Sequence, residues 1–317
     1  TLNMSSRRSF AYFALLATFA VSACSGDDSA GPATDAPTTL SPATEAPTTV
    51  SLDPAVEAMM YTEAGPYPVG VTTLELAAGN EVEVWYPAVE GTTGAEFYDT
   101  RDFVPPAIKA LLTADVPARY DYTAGRDAVV ADGQFPIVLF SHGYSGIRLQ
   151  STFLTAHLAS WGMIVAAPDH WSRDLFHVLS APVGDRESAT GELLGTLDLV
   201  TSGDDDPASL LQGHVDVSRV IALGHSAGGG TIVSAAKDDR VDGYISMASG
   251  VLGMGSANAT TTAPPTFVNK PSFFIAGALD AIISAEESTR PSFEAVPGPS
   301  RLWIIDGVGH NGFDDFC

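Results

Sequence analysis

The sequence is poor in positive charge: 15 lysines and arginines stand against 38 aspartates and glutamates in 317 residues, a formal net charge of −23. Nucleic acids and anionic membrane surfaces attract basic proteins, so this balance argues against both as partners. A neutral substrate fits better, although the acidity is equally typical of a secreted protein that must stay soluble.

Cysteine is nearly absent, since the chain has only Cys24 and Cys317, and no CxxC pair is available for redox chemistry or zinc. Several histidines are scattered without metal-ligand spacing: His157, His170, His177 and His214. No phosphate-cradling glycine loop and no paired catalytic carboxylates occur. We therefore expect a protein that works without a metal or another cofactor.

The N-terminus lacks an apolar run long enough to cross a bilayer. Arg7 and Arg8 precede a short apolar stretch, residues 11–20, and small residues lead up to Cys24, which predicts an export signal over residues 1–23. The residues before Cys24 are typical of a bacterial lipobox, so we expect Cys24 to be lipidated. An ordinary signal peptide followed by a chance cysteine is the alternative. Either way, we expect an exported bacterial protein, extracellular or a cell-envelope lipoprotein.

Two composition zones follow the signal. Residues 24–58 are rich in Thr, Pro and Ala and contain a near-repeat, residues 32–40 and 42–50, with little to bury. We interpret this stretch as a disordered tether. Residues 59–317 have a globular composition and fit one α/β domain, which we expect to be monomeric.

Within that domain, apolar strand patterns alternate with helical ones, which predicts a mostly parallel central sheet flanked by helices. Residues 71–76 and 81–86 form a predicted hairpin. Further strands are predicted over residues 136–141, 163–168, 220–224, 243–248, 272–276 and 301–305. Helices are predicted over residues 148–161, 187–200, 227–236 and 285–296, the last one kinked or split by Pro291.

One of these predicted strands ends at a serine that is flanked by glycines. Gly224-His225-Ser226-Ala227-Gly228 is a G-x-S-x-G motif between a predicted strand and a predicted helix. Glycine and serine are also ordinary turn residues. The strand-turn-helix context instead favours a nucleophile elbow, in which the serine is exposed at the helix N-terminus.

A serine nucleophile needs a base and an acid. With a G-x-S-x-G nucleophile elbow these follow the serine in the order Ser, acid, His. His310 is the only histidine after Ser226, and its alternative role is that of a surface-loop histidine. Asp280 follows a predicted strand and is the predicted acid. The competing carboxylates fit less well: Asp238, Asp239 and Asp242 suit a solvated connection, and Asp306 is too near His310 in sequence.

The oxyanion of such a reaction needs two backbone N–H donors, for which we predict Ala227 and Tyr144. His142 precedes Ser226 in the wrong order, and we interpret it as structural. His225 is interpreted as packed or hydrogen-bonded beneath the serine. Tyr144, Trp171 and Phe313 could line an acyl groove or simply belong to the core.

These segments resemble the α/β-hydrolase superfamily. The stretches FPIVLFSHGYSGIR, LASWGMIVAAPDHWSRD, GPYPVGVTTLEL, VEVWYPA and GHNGFDDF are similar to the platelet-activating-factor acetylhydrolase branch, over about residues 65–316. That resemblance implies hydrolysis of short or modified acyl esters without a metal. The stretch GALDAIIS around Asp280 and GYSG around Tyr144 instead resemble the bacterial cutinase and polyester-hydrolase branch.

The sequence departs from both branches. Residues 246–250 have no carboxylate where the acetylhydrolase branch carries its acid, which puts phospholipid specificity in doubt. Gly250 and Val251 stand near the tryptophan clamp of the polyester-hydrolase branch, which puts aromatic polyesters in doubt. In this fold a helix usually follows the histidine, but only seven residues follow His310. We therefore expect a truncated sequence in which Cys317 pairs with a cysteine beyond it.

Four functions remain open at this point. The first is a serine esterase for short-chain acyl esters, and the second a cutinase-like polyester hydrolase or medium-chain lipase. The third is a non-catalytic binding lipoprotein, which predicts a broken triad. The fourth is a C–C or amide hydrolase, since the scaffold does not fix the chemistry.

Overall fold

The computed structural model describes residues 59–180, 188–250 and 266–317. Its strands are β1 (Val69–Glu75), β2 (Glu81–Pro87), β3 (Glu96–Asp99), β4 (Arg119–Tyr122), β5 (Gly125–Arg126), β6 (Phe135–Ser141), β7 (Ile164–Pro168), β8 (Val215–His225), β9 (Gly243–Met247), β10 (Ser272–Gly277) and β11 (Ser300–Ile305). Its α-helices are α1 (Pro106–Lys109), α2 (Thr152–Ser160), α3 (Leu175–Leu179), α4 (Ala189–Asp205), α5 (Ala227–Ala235) and α6 (Arg290–Glu294). Single turns of other helix types span Thr100–Phe103, Ala285–Thr289 and His310–Phe313.

Across the described residues, nine strands form one sheet in the order β11-β10-β9-β8-β6-β7-β2-β1-β5, and β3 pairs with β4 separately. Strands β6 to β11 run parallel, while β2 is antiparallel to both β1 and β7. Helices follow the parallel strands, so the prediction of a mostly parallel sheet flanked by helices is confirmed.

The sheet is buried on both faces. In β6, Ile137 and Leu139 belong to one apolar cluster with α4 and α5, whereas Val138 and Phe140 belong to the cluster on the opposite face with α2. Successive strand residues point to opposite faces, so a strand covered on both sides must be apolar at every position. Each such large side chain contributes about 1.5–3 kcal/mol by leaving water.

The strand order creates a crevice at one edge of the sheet. The chain passes from β6 to β7 on one side and then crosses to β8 on the other side of β6. Loops after neighbouring strands therefore diverge at the carboxyl ends of β6 and β8, which is where ligand sites form in open α/β sheets. Ser141 is the last residue of β6, and His225 is the last residue of β8. Ser141 pairs with Gly224, the residue before His225, so the two strands end side by side.

Several predicted boundaries were wrong. The helix predicted from residue 148 begins only at Thr152, because residues 148–151 form a turn. The helix predicted over residues 285–296, kinked or split by Pro291, consists of a π-helical turn, Ala285–Thr289, that continues as α6 and ends at Glu294, with Pro291 in the first turn of α6. The β3–β4 pair was not predicted, because its four-residue strands are too short for a clear period.

Candidate active site

Ser226 occupies a sharp turn between β8 and α5, with φ 53° and ψ −119°. A positive φ is strained for a residue with a Cβ, so the surrounding structure must hold the turn. The Ser226 N–H donates to the Met247 carbonyl, 2.9 Å away in the neighbouring strand β9. In this turn the hydroxyl lies within hydrogen-bond distance of His310 Nε2, 2.9 Å.

The glycines of the motif allow the elbow to pack closely. A Cβ on Gly224 would overlap the main chain of Gly228, and a Cβ on Gly228 would overlap the Ser141 carbonyl at the end of β6. Gly230, two residues further along α5, has open space around it. The first two glycines are therefore required by contact with main chain, and the third is not.

The three residues predicted as a triad lie together. His310, in the turn that follows β11, has its Nε2 2.9 Å from Ser226 Oγ. Its Nδ1 lies 2.8 Å from Asp280 Oδ2. The geometry is self-consistent when Nδ1–H donates to the carboxylate and Nε2 accepts the serine hydroxyl proton, which is the arrangement a general base needs.

Asp280 is held by its own loop. Its side chain is buried, and Oδ1 accepts hydrogen bonds from the N–H groups of Ile282, 2.9 Å, and Ile283, 2.8 Å. One carboxylate oxygen is thus fixed by main chain and the other faces His310. This fixed orientation holds the imidazole in the tautomer that leaves Nε2 free to accept a proton.

The competing carboxylates do not reach His310 in this way. Asp306 and Asp239 are exposed, Asp238 forms an ion pair with Arg240, and Asp242 accepts from the Val220 N–H.

The loop after β6 packs against the elbow. A Cβ on Gly143 would stand 3.3 Å from both Ser226 Cβ and His225 Nδ1, so Tyr144, the next residue, lies beside the serine. Ser145 has φ 58° and its N–H donates to the Arg173 carbonyl, 2.9 Å, which fixes the turn. Ala227 is the first residue of α5, so its N–H has no intrahelical acceptor.

His225 lies buried under the elbow. Gln150 Nε2 donates to its Nδ1, 3.0 Å, and its Nε2 lies 3.0 Å from the His310 carbonyl oxygen. Burial, and secondarily the nearby His310, lowers the pKa of His225 to about 3, so this imidazole is neutral at physiological pH.

A buried polar network supports the predicted oxyanion loop, residues 141–146. The Arg173 guanidinium donates to the His142 carbonyl, 2.8 Å, to Ser141 Oγ, 2.7 Å, and to Thr231 Oγ1, 2.7 Å. Burial lowers the pKa of Arg173 to about 10, against the opposing pull of Glu192. Because its guanidinium donates to neutral oxygens here, it fixes the loop without forming an ion pair.

Two histidines and an acid complete this network. The His170 ring contacts Ser141 Oγ through Nε2, 2.8 Å, and Glu192 Oε2 through Nδ1, 2.9 Å. The main-chain N–H of His170 donates to His142 Nε2, 2.9 Å. Burial lowers the pKa of His142 to about 3 and that of His170 well below its usual value, and it raises the pKa of Glu192 to about 7. Asn80 donates to Glu192 Oε1, 2.9 Å.

The side chains proposed for an acyl groove lie in three different settings. Tyr144 is 61% exposed, as is Leu279 beside Asp280, and Ile282 is also exposed, which gives the rim of the crevice an apolar surface. Trp171 lines a cavity of about 320 Å³ together with Phe103 and Phe176, away from the triad. Phe313 is buried in the core cluster.

Three further features concern metal ligands, membrane-spanning helices and the cysteines. Among the described residues, no group of three or more His, Cys, Asp and Glu side chains could hold a metal ion. No helix in the same residues has the length and apolar character of a membrane span. Cys24, with the predicted signal and tether, lies outside the described residues, so its lipidation and the predicted pairing of Cys317 stay predictions.

Sequence reasoning missed the supporting residues Gln150, Arg173 and Glu192. Each is a polar residue in or beside a helical or loop pattern, where the usual reading is a solvated side chain. The sequence contains no signal of fixed spacing that would have identified them, since their partners lie far away along the chain.

Comparison with known proteins agrees with this fold. A family model described as "PETase: PET hydrolase-like" matches residues 123–314, more than half of the chain. Cutinase est2 of Thermobifida alba is 24% identical over 176 residues, which cover 55% of this chain and 52% of the relative. Platelet-activating factor acetylhydrolase of Cavia porcellus is 23% identical over 230 residues, which cover 56% and 52%. The chain spans about half the length of these curated relatives.

Proposed function

The chain belongs to the PETase, PET hydrolase-like family, and from that premise we propose that it is a serine carboxylic-ester hydrolase acting through Ser226, His310 and Asp280. The observation that carries the proposal is the continuous line of contacts from Ser226 Oγ to His310, 2.9 Å, and from His310 to Asp280, 2.8 Å. The relatives named above, a cutinase and an acetylhydrolase, support the ester class.

Acylation begins when His310 Nε2 takes the Ser226 hydroxyl proton as Oγ attacks the ester carbonyl carbon. The carbonyl π electrons move to oxygen, and the oxyanion accepts hydrogen bonds from the N–H groups of Tyr144 and Ala227. His310 then gives its proton to the leaving alkoxide, the C–O bond breaks, and an acyl-Ser226 ester remains. Asp280 stabilises the transient imidazolium.

Deacylation repeats the sequence with water. His310 Nε2 takes a proton from water as the water oxygen attacks the acyl carbon, and the same two N–H groups hold the oxyanion. The tetrahedral intermediate collapses, the proton passes from His310 to Ser226 Oγ, and the carboxylic acid leaves.

Short-chain acyl esters are our first proposed substrates. A second candidate, hydrolysis of polyesters or medium-chain lipids, is favoured by the exposed Tyr144, Leu279 and Ile282 at the rim of the crevice. Apolar side chains kept in water next to a reactive centre suit a substrate that binds along the surface. A non-catalytic binding protein and a C–C or amide hydrolase have no such specific support.

A p-nitrophenyl ester series from acetyl to palmitoyl, on the full chain, tests the proposal. We expect turnover of acetyl and butyryl esters that is lost in Ser226→Ala, with Ser234→Ala, an exposed serine on α5, as the matched control. Turnover that rises toward medium chains, or release of monomers from a polyester film, would favour the second candidate. A folded wild type without turnover of any ester would overturn both.

We further propose that the protein is an exported lipoprotein, monomeric and anchored through Cys24. Intact mass spectrometry of membrane-extracted protein checks this, with Cys24→Ala as the control. One thiol cannot carry both a lipid and a disulfide. A diacylglyceryl mass on Cys24 therefore supports the anchor, and an unmodified or disulfide-bonded Cys24 refutes it.

A further inference from the structure

Gln150 lies buried between three segments that each carry part of the site. Its Oε1 accepts from the Gly143 N–H in the oxyanion loop, 3.1 Å. Its Nε2 donates to Nδ1 of His225, the residue before the nucleophile, 3.0 Å. Its main-chain carbonyl accepts from the Asp315 N–H, 2.7 Å, just beyond the turn that begins at His310.

His225 carries this connection on to the base. Because its Nδ1 accepts from Gln150, its proton is on Nε2, which donates to the His310 carbonyl, 3.0 Å. The two imidazole rings lie 5.0 Å apart between centroids. The titratable groups that act on His225 are His310, Asp280 and His142, and none of them competes with Gln150 for Nδ1.

The space around Gln150 leaves its amide little freedom. A Cβ on Gly146 would overlap Gln150 Oε1 and stand 2.9 Å from His142 Nδ1, so the glycine makes room for the amide. The two ends of the amide are chemically distinct, with one acceptor and one donor, and each has one matching partner. A side chain that lacks either end leaves a buried N–H or a buried imidazole nitrogen without its partner.

We propose that Gln150 is a positioning residue that sets the oxyanion donor at Tyr144 relative to Ser226 and the His310 base. The proposal rests on the proposed esterase function. Gly143 immediately precedes Tyr144, so the Gln150 contact to Gly143 determines where the Tyr144 N–H points. The contact through His225 fixes the main chain of His310 relative to the Tyr144 N–H. A shift of about 1 Å in such an arrangement is enough to lower turnover about a hundredfold.

The first test is Gln150→Met, which keeps the length and loses both hydrogen-bonding ends. We expect kcat to fall about ten- to a hundredfold with KM within about twofold, since the oxyanion donor matters in the transition state. Ser160→Ala is the matched control: at the other end of α2 it removes the buried acceptor of the Gly65 N–H, 2.8 Å, far from the site. It should lower Tm by a similar amount and leave kcat unchanged.

The second test is Gln150→Glu, which keeps the acceptor for Gly143 and replaces the donor to His225. We expect His225 to take up a proton on Nδ1 and to titrate between about pH 5 and 8 in imidazole ¹H–¹⁵N spectra. In the wild type the same signals should stay those of a neutral ring protonated on Nε2. A merely structural glutamine would change stability without this spectroscopic change.

Either of two results overturns the proposal: equal kcat losses in Gln150→Met and Ser160→Ala, or His225 signals that do not respond to Gln150→Glu. The imidazole spectra and the rate of Ser226 labelling by a fluorophosphonate need no ester turnover. If the wild type hydrolyses no ester, the proposed function fails. Slower labelling in Gln150→Met would then still support the positioning role, and unchanged labelling would overturn it.

Discussion

Replacing Asp280 by asparagine is the sharpest test of the triad, because the structure dictates how the amide would orient. Oδ1 of Asp280 accepts from two N–H groups, those of Ile282 and Ile283, and Oδ2 faces His310 Nδ1. In Asp280→Asn one of these positions becomes an NH₂ group. The NH₂ group can therefore face either the two loop N–H groups or His310 Nδ1.

The energies decide that choice. Turning the NH₂ toward the loop would leave two N–H groups without acceptors, and the buried one, that of Ile283, alone costs about 1–3 kcal/mol. Turning it toward His310 disturbs a single contact. We therefore expect the amide oxygen to stay on Ile282 and Ile283, and the NH₂ to donate to His310 Nδ1. His310 then carries its proton on Nε2 and cannot accept the one from Ser226.

A wrong tautomer of this kind lowers kcat about 10⁴-fold in a Ser-His-Asp triad, which corresponds to about 5 kcal/mol in the barrier. The assay is p-nitrophenyl acetate turnover with KM measured alongside, and KM should change little. Asp306→Asn, at the exposed carboxylate nearest His310 in sequence, is the control and should keep full activity. An Asp280→Asn enzyme that retains more than a tenth of the wild-type kcat would refute the assignment.

Gly228→Ala should lower turnover and also the free energy of unfolding, by about 1–3 kcal/mol, because the new methyl group overlaps the Ser141 carbonyl. Gly230→Ala, in open space, should raise the free energy of unfolding by about 0.5–1 kcal/mol. Urea unfolding compares the two variants, and equal effects would contradict the packing argument. Burial raises the pKa of Glu192 to about 7 in the folded protein. The contribution of this carboxyl to stability is therefore lost as the pH rises from the usual pKa of a glutamate toward 7. Glu192→Gln lacks that proton loss, so its stability relative to the wild type should increase from pH 5 to 8; a constant difference across that range would refute it. Ile282→Ser should weaken hydrolysis of long acyl esters more than of acetyl esters, and equal losses for both would remove the rim from substrate binding.

The elements that the sequence predicted best are those whose signal is local. The apolar run over residues 136–141 and the strand-turn-helix around Ser226 carry their pattern in adjacent residues, and both were found. The exception is the start of β8, at Val215, five residues before the predicted start at residue 220. The four-residue β3 and β4 were missed, because pairing with each other, not periodicity, makes them strands.

The sequence by itself determined which residues form the proposed triad, because the order Ser226, Asp280, His310 and the glycines around the serine are constraints along the chain. Only the tertiary structure decided what holds that set in place. The side chains of Gln150, Arg173 and Glu192 acquire their roles from partners up to 112 residues away, as with Asn80 and Glu192, which contact each other only once the sheet and α4 have packed. The sequence does not distinguish a polar side chain that is hydrogen-bonded to water from one that is buried and hydrogen-bonded to protein, because burial depends on the whole fold.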